Sequence, residues 1–193
     1  MAGNDESKLP VPPERTRDPR ATWRAAQAYG VPADYGRVRG LRRQREPGQL
    51  AFIGRDVNGR EQWLQPRAAS AYARMIAAAA LDGVEIQLVS GFRSAGYQLA
   101  ILERKLARGQ PIDEILRVIA APGFSEHHTG RAVDLTAPGC RPAEVEFEDS
   151  PAFAWLGRHA ARFRFRMSFP RGNPHGIAYE PWHWCYSAKP AER

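Results

Sequence analysis

Apolar residues recur along this chain in two rhythms, and the switches between them mark its elements. Ala21 to Tyr29 predicts a short helix that Gly30 ends. Leu50 to Ile53 and Gln62 to Leu64 flank Asn58-Gly59, the turn signal of a β-hairpin. Pro66 then opens a helix at a position where its missing N–H costs nothing. Tyr72, Met75, Ile76 and Ala79 follow the i, i+3, i+4, i+7 spacing of one buried stripe, and Gly83 closes that helix. Val84, Ile86 and Leu88 alternate as a half-buried strand running into Ser90-Gly91-Phe92-Arg93-Ser94. Leu99, Leu102 and Leu106 predict a helix that stops near Gly109. Ile112, Ile115, Leu116 and Ile119 predict another after Pro111, ended by Pro122-Gly123.

In the second half, Ala132 to Leu135 reads as a strand broken by Pro138-Gly139. Ser150-Pro151 is an N-cap and first-turn pair, and the helix after it carries Phe153, Leu156, Ala160 and Phe163 on one face. Phe165, Met167 and Phe169 alternate as a strand, Arg171 to His175 is a polar loop, and Ile177 to Trp184 is the last core segment. No internal repeat is present. Helices interrupted by antiparallel-style strands predict an α+β fold, a small antiparallel sheet flanked by helices. Residues 1–20, polar and rich in proline, read as a disordered tail, 21–187 as a single domain, and 188–193 as a C-terminal tail.

Composition narrows the function classes. Hydrophobic content of 43% with 25% charged residues excludes wholesale disorder. The net charge of +7 favours polyanions. The densest basic run, Arg37, Arg39, Arg42, Arg43 and Arg45, has little aromatic interleaving on which bases could stack. It reads as a solvated basic face, and no nucleic-acid partner is expected. No stretch approaches the roughly 20 apolar residues of a membrane span. Met1 to Arg20 lacks the apolar core of a secretory signal. Cys140 and Cys185 leave two options open, one disulfide or two free thiols.

Candidate chemistry gathers in Ser125-Glu126-His127-His128-Thr129-Gly130-Arg131-Ala132-Val133-Asp134 and, far along the chain, Glu180-Pro181-Trp182-His183-Trp184. Two imidazoles and a carboxylate make three candidate metal ligands, the number that catalytic zinc sites take from protein while leaving a position for water. Glu180, three residues before the last of them, is a candidate general base. Pro181 belongs at a strand start or edge, which lets Glu180 leave the pleat and aim toward His183. On the predicted strand Ala132 and Asp134 share a face, so a small side chain leaves room beside the carboxylate. His128 competes with His127 as ligand. Cys185, two residues after His183, is either a neighbour of the ligand shell or a small core residue.

These motifs resemble the signature of the LAS zinc peptidases, and within them the VanY-type D-alanyl-D-alanine carboxypeptidases. The match is Ser125-x-His127-x-x-Gly130-x-Ala132-x-Asp134 followed by Glu180-x-Trp182-His183. Ser90-Gly91-Phe92-Arg93-Ser94 with Tyr97-Gln98 precedes it, and Trp155-Leu156 and Phe169-Pro170-Arg171-Gly172-Asn173 agree further on. The resemblance implies the hedgehog/DD-peptidase-like fold and Zn2+ held by His127, Asp134 and His183. It implies Glu180 as the base that activates the attacking water and Arg93 as the oxyanion partner. Ser125 and Gln98 are implied to help hold the terminal D-alanine of a peptidoglycan peptide substrate. The spacing of the motif favours His127 over His128. A peptidoglycan substrate places the work in the periplasm or cell envelope. The same signature serves L,D-carboxypeptidases, D-Ala-D-Ala dipeptidases and phage-type endopeptidases, and some relatives keep only a non-catalytic zinc module.

Overall fold

Asp18 and Pro19 start the first helix two residues earlier than the apolar pattern alone predicts. In the computed structural model, which describes residues 10–188, the Asp18 carboxylate accepts hydrogen bonds from the Arg20 and Ala21 amides, each 2.9 Å. This N-cap satisfies amides that the helix itself leaves bare, and Pro19 fits the first turn. Helix α1 therefore spans Pro19–Ala28, and α2 follows at Tyr35–Val38. The segment expected to be a disordered tail divides. Residues 1–9 lie outside the described residues, whereas Thr16 is hydrogen-bonded through its amide to Glu46, 2.8 Å. The expected C-terminal tail lies outside them too, apart from Ala188.

The hairpin forms around Asn58-Gly59 as β1 (Ala51–Arg55) and β2 (Glu61–Leu64). Gly59 takes φ +75°, and the Asp56 carboxylate accepts from the Asn58 and Arg60 amides. Helix α3 (Pro66–Leu81) buries Tyr72, Met75 and Ala79, the stripe read from its spacing. β3 is shorter than expected, Gln87–Ser90. Its partner strand reaches only far enough to pair Gln87 with Thr136, so Val84 to Ile86 have no ladder to join. Helices α4 (Ala95–Ala107) and α5 (Ile112–Val118) come next, α4 capped by the Ser94 hydroxyl accepting from the Tyr97 amide.

β4 (Ala132–Thr136) is buried along its whole length. α6 (Pro151–His159) is capped by Ser150, and a 3-10 turn, Ala160–Phe163, prolongs its apolar face. β5 covers Phe165–Met167 and leaves Phe169 beyond its end; β6, His183–Tyr186, takes in only the last two residues of the expected core segment and runs past it to Tyr186. The four strands form an antiparallel sheet in the order β3-β4-β6-β5.

The main core packs α3 and α6 against the sheet through Leu64, Met75, Val133, Leu135, Leu156 and Phe165. A second cluster, with Ala26, Leu102, Ile115 and Leu116, joins α1, α4 and α5. The basic run is partly used for packing, which a solvated face would not do. The Arg43 guanidinium lies 4.4 Å from the Trp23 ring centroid, and Arg39 donates to the Gly176 carbonyl. Both cysteines are free thiols. Among the described residues no helix is long and apolar enough to cross a membrane.

Candidate metal centre and active site

The register of the sheet builds the site. Asp134 on β4 lies directly opposite His183 on β6, and Ser90 of β3 pairs with Asp134 from the other side. His127 arrives from a 3-10 turn, Glu126–Thr129, that Ser125 caps and Gly130 ends in the left-handed conformation at φ +62°. A Cβ on Gly130 would meet the Gln65 amide nitrogen at 2.9 Å, so this turn needs glycine for space as well as for its backbone angle. Ligand atoms of His127, Asp134 and His183 all lie within 4.8 Å of one another, and all three residues are buried.

The ring nitrogens show which atoms face inward. His127 Nδ1 donates to the Gly91 carbonyl at 2.6 Å. Its Nε2 then has a lone pair, aimed at an Asp134 oxygen 3.2 Å away. Burial and the nearby Arg93 charge push the His127 pKa down to about 4, so the ring is neutral at pH 7. A lone pair facing a carboxylate oxygen is repulsive unless a cation sits between them. His183 turns the opposite nitrogen inward and differs in charge. Its Nε2 donates to Glu126 Oε2 at 2.9 Å, and its Nδ1 faces Asp134 Oδ1 at 3.1 Å and Glu180 Oε2 at 3.8 Å. Burial opposes a charge on this ring, yet hydrogen bonds to Asp134 and Glu126 outweigh it and raise the pKa to about 10, so the ring carries both protons at pH 7. A divalent ion bound at Nδ1 would take the place of the proton shared with Asp134. Two imidazoles with their outer N–H groups anchored and a shared carboxylate fit a divalent ion of the zinc type.

Around this set stand the remaining groups. Burial lifts Glu180 to about 7, with the Asp134 charge adding to the rise. Arg93 brings a terminal nitrogen to 3.6 Å from Asp134, and its buried Nε has no partner. Gln98 is 1% exposed; its Nε2 donates to the Ala120 carbonyl, and its Oε1 has no partner. The Ser125 hydroxyl accepts from the His127 amide, a structural task alongside any contact with substrate. All seven residues singled out in the sequence line one 140 Å³ cavity.

The other histidines are occupied elsewhere. His128 donates through Nδ1 to the Arg93 carbonyl and accepts through Nε2 from the Gly123 amide, which removes it as a ligand. His175 binds the Arg39 carbonyl, and His159 rests against Trp155. Cys185 sits beside Glu126, and burial together with that carboxylate pushes its thiol pKa well up.

Glu126 is the site residue that sequence reasoning passed over. Despite burial, its hydrogen bond to His183 and the charge there hold it down to about 2, and Ser168 donates to the same oxygen. Its only signal in the sequence was an acid immediately before a ligand histidine. Nothing local says that it reaches a ring 57 residues away.

Fold and site together define a metallopeptidase of the LAS type, with a His-Asp-His donor set on a small antiparallel sheet. The chain belongs to the VanY D-alanyl-D-alanine carboxypeptidase family, whose model matches residues 61–189. It is 28% identical over 158 residues to the bifunctional D-Ala-D-Ala dipeptidase and D-Ala-D-Ala carboxypeptidase VanXYC of Enterococcus gallinarum, covering 78% of this chain and 80% of that one. Among solved structures it resembles the LD-carboxypeptidase LdcB, with TM-score 0.65 and 28% identity over 73% of this chain and 69% of that one. A mutant of the vancomycin-resistance D,D-pentapeptidase VanY in complex with Zn(II) is similar at TM-score 0.56 and 28% identity, covering 76% and 84% of the two chains.

Proposed function

We propose that this chain is a zinc-dependent carboxypeptidase that releases the C-terminal D-alanine of peptidoglycan stem peptides. The observation that carries the reading is the convergence of His127, Asp134 and His183 within 4.8 Å, with the Glu180 carboxylate 3.8 Å from the His183 ring. Zinc, when bound, supplies a Lewis acid and lowers the pKa of water to roughly 7. Glu180 takes the proton of the attacking water and returns it to the nitrogen of the leaving amino acid. A pKa near 7 suits a group that must both accept and donate. Arg93 donates to the carbonyl oxygen as negative charge builds on it; its unpartnered Nε and its place beside Asp134 support that role. Gln98 Oε1 accepts from the substrate, and the Ser125 hydroxyl donates to it.

Space on the two sides of the ligand set supports removal of one small residue from a longer chain. The cavity holding Gln98 and Ser125 measures 140 Å³, whereas the groove that meets it at Arg93 and Asp134 measures 880 Å³. Pockets that enclose a drug-sized ligand run to about 300–1,000 Å³, so only the second can take the peptidyl part. Such a substrate places the enzyme's work in the cell envelope. The test is zinc-dependent release of D-alanine from a stem pentapeptide and from the tetrapeptide one residue shorter. Cleavage of the pentapeptide alone is expected. An L,D-carboxypeptidase, the reading favoured by the 0.65 TM-score to LdcB, would cut the tetrapeptide instead.

Glu126 should act through His183 by fixing its Nε2–H tautomer and so presenting Nδ1. Replacing Glu126 with Ala is expected to weaken zinc binding about 10- to 100-fold, read by competition with a chromophoric chelator. Unchanged affinity would show that the ring needs no anchor.

A further inference from the structure

The 880 Å³ groove has one wall that lies outside the region matched by the family model. Residues 13–18 and the first turn of α1 form it, and Tyr97 and Ile101 of α4 line the same groove. That wall is built deliberately by hydrogen bonds rather than left lying on the surface. Glu46 accepts from the Thr16 amide at 2.8 Å, from the Thr16 hydroxyl, and from the Ala95 amide at 2.7 Å. The Gly96 amide donates in turn to Thr16 Oγ1 at 2.9 Å. Thr16 and Glu46 thus bind the segment to the first turn of α4, two residues beyond Arg93. Arg15 adds hydrogen bonds to the Pro47 and Gly48 carbonyls.

The charged side chains along the groove are mostly engaged locally, which leaves its contact surface largely apolar. Arg60 pairs with Asp56, Glu61 with Arg55, Arg17 with Glu14, and Asp18 caps α1. Tyr97 is 48% exposed and lines the groove, a large aromatic surface that the Arg104 guanidinium approaches at 5.7 Å from the ring centroid.

We propose that residues 13–18, pinned through Thr16 and Glu46, form the outer wall of the subsite for the acyl part of the substrate, and so favour long stem peptides over short ones. This rests on the carboxypeptidase reading above. The acyl part is an extended peptide whose aliphatic portions lie against Tyr97, Ile101 and Ala21. Its scissile end reaches Arg93 and Asp134, where the groove joins the small cavity. The wall contributes to binding and not to the chemical step, because no residue of 13–18 lines the cavity at the ligand set.

The probe is the stem tetrapeptide ending in one D-alanine, which occupies the acyl side alone, together with two substrates, the pentapeptide and N-acetyl-D-Ala-D-Ala. Thr16→Val keeps the side-chain shape but removes the hydroxyl, Thr16→Ser retains it, and Ala21→Phe fills the groove without touching the pin. Thr16→Val and Ala21→Phe are expected to weaken tetrapeptide binding about fivefold or more by calorimetry, a loss of about 1 kcal/mol. They raise KM for the pentapeptide to match, with its kcat and the kinetics on N-acetyl-D-Ala-D-Ala within twofold of the parent. Thr16→Ser restores the parent values. Unchanged tetrapeptide affinity in both variants would overturn the proposal, as would an equal loss on the short and long substrates. A parent chain that binds the tetrapeptide in a wall-dependent way yet releases no D-alanine would uphold the wall and sink the carboxypeptidase reading.

Discussion

Glu180→Gln is expected to retain one zinc per chain and lose turnover, with kcat falling about 100- to 10,000-fold. That corresponds to about 3–5 kcal/mol of lost transition-state stabilisation. The amide has nearly the shape of the carboxylate but cannot take the proton of the attacking water or pass it to the leaving nitrogen. Zinc stays because the proposed donors are His127, Asp134 and His183; Glu180, whose carboxylate lies 3.8 Å from the His183 ring, is not one of them. The measurement pairs metal analysis with single-turnover release of D-alanine. Full activity in a zinc-loaded variant would remove Glu180 from the chemistry. Loss of zinc together with activity would make it a ligand instead of a base.

Asp134→Ala is expected to lose both the metal and a large part of the folding stability. The carboxylate faces His127 Nε2 at 3.2 Å, His183 Nδ1 at 3.1 Å and Arg93 at 3.6 Å, all around a buried point. Burial opposes its ionisation, yet the interaction and hydrogen bond with His127, the hydrogen bond from His183 and the Arg93 charge hold its pKa well below the ordinary carboxylate range. Its stabilising contribution is therefore present above the unfolded-state pKa and is lost as pH falls toward the folded one. Removing one partner of a buried charge cluster costs about 3–5 kcal/mol, because the charges left behind have no counterpart. Thermal unfolding with and without a chelator separates the two effects. In the parent a chelator should abolish activity, and zinc should restore it. In Asp134→Ala the chelator should shift nothing further. A variant that still binds zinc stoichiometrically would contradict the ligand assignment.

Much of the scaffold was legible because its causes are local. The Asn58-Gly59 turn, the Pro66 start and Gly83 stop of α3, and the Ser150-Pro151 start of α6 each depend on backbone preferences of a few neighbouring residues. Where the pattern misled, tertiary partners decided. Val84 to Ile86 alternate as a strand should, but β4 runs out before it can pair with them. Phe169 continues the alternation of β5 and still lies beyond the ladder, against the His183 ring.

The residues proposed as ligands were written in the order and spacing of Ser125 to Asp134 and Glu180 to His183, since spacing within one turn or strand survives folding unchanged. Sequence alone also restricted the fold to helices around a small antiparallel sheet. What it left open was decided by strand register and by contacts between distant segments. Pairing Asp134 with His183 brought the two halves of the signature together. Glu126 and the Gly91 carbonyl chose which nitrogen of each ring faces inward, and Arg93 and Gly123 took His128 away. Glu46 held a segment that composition marks as a tail against α4. Each of these outcomes depends on a hydrogen bond between groups far apart in the chain, whose partners no periodicity or propensity encodes.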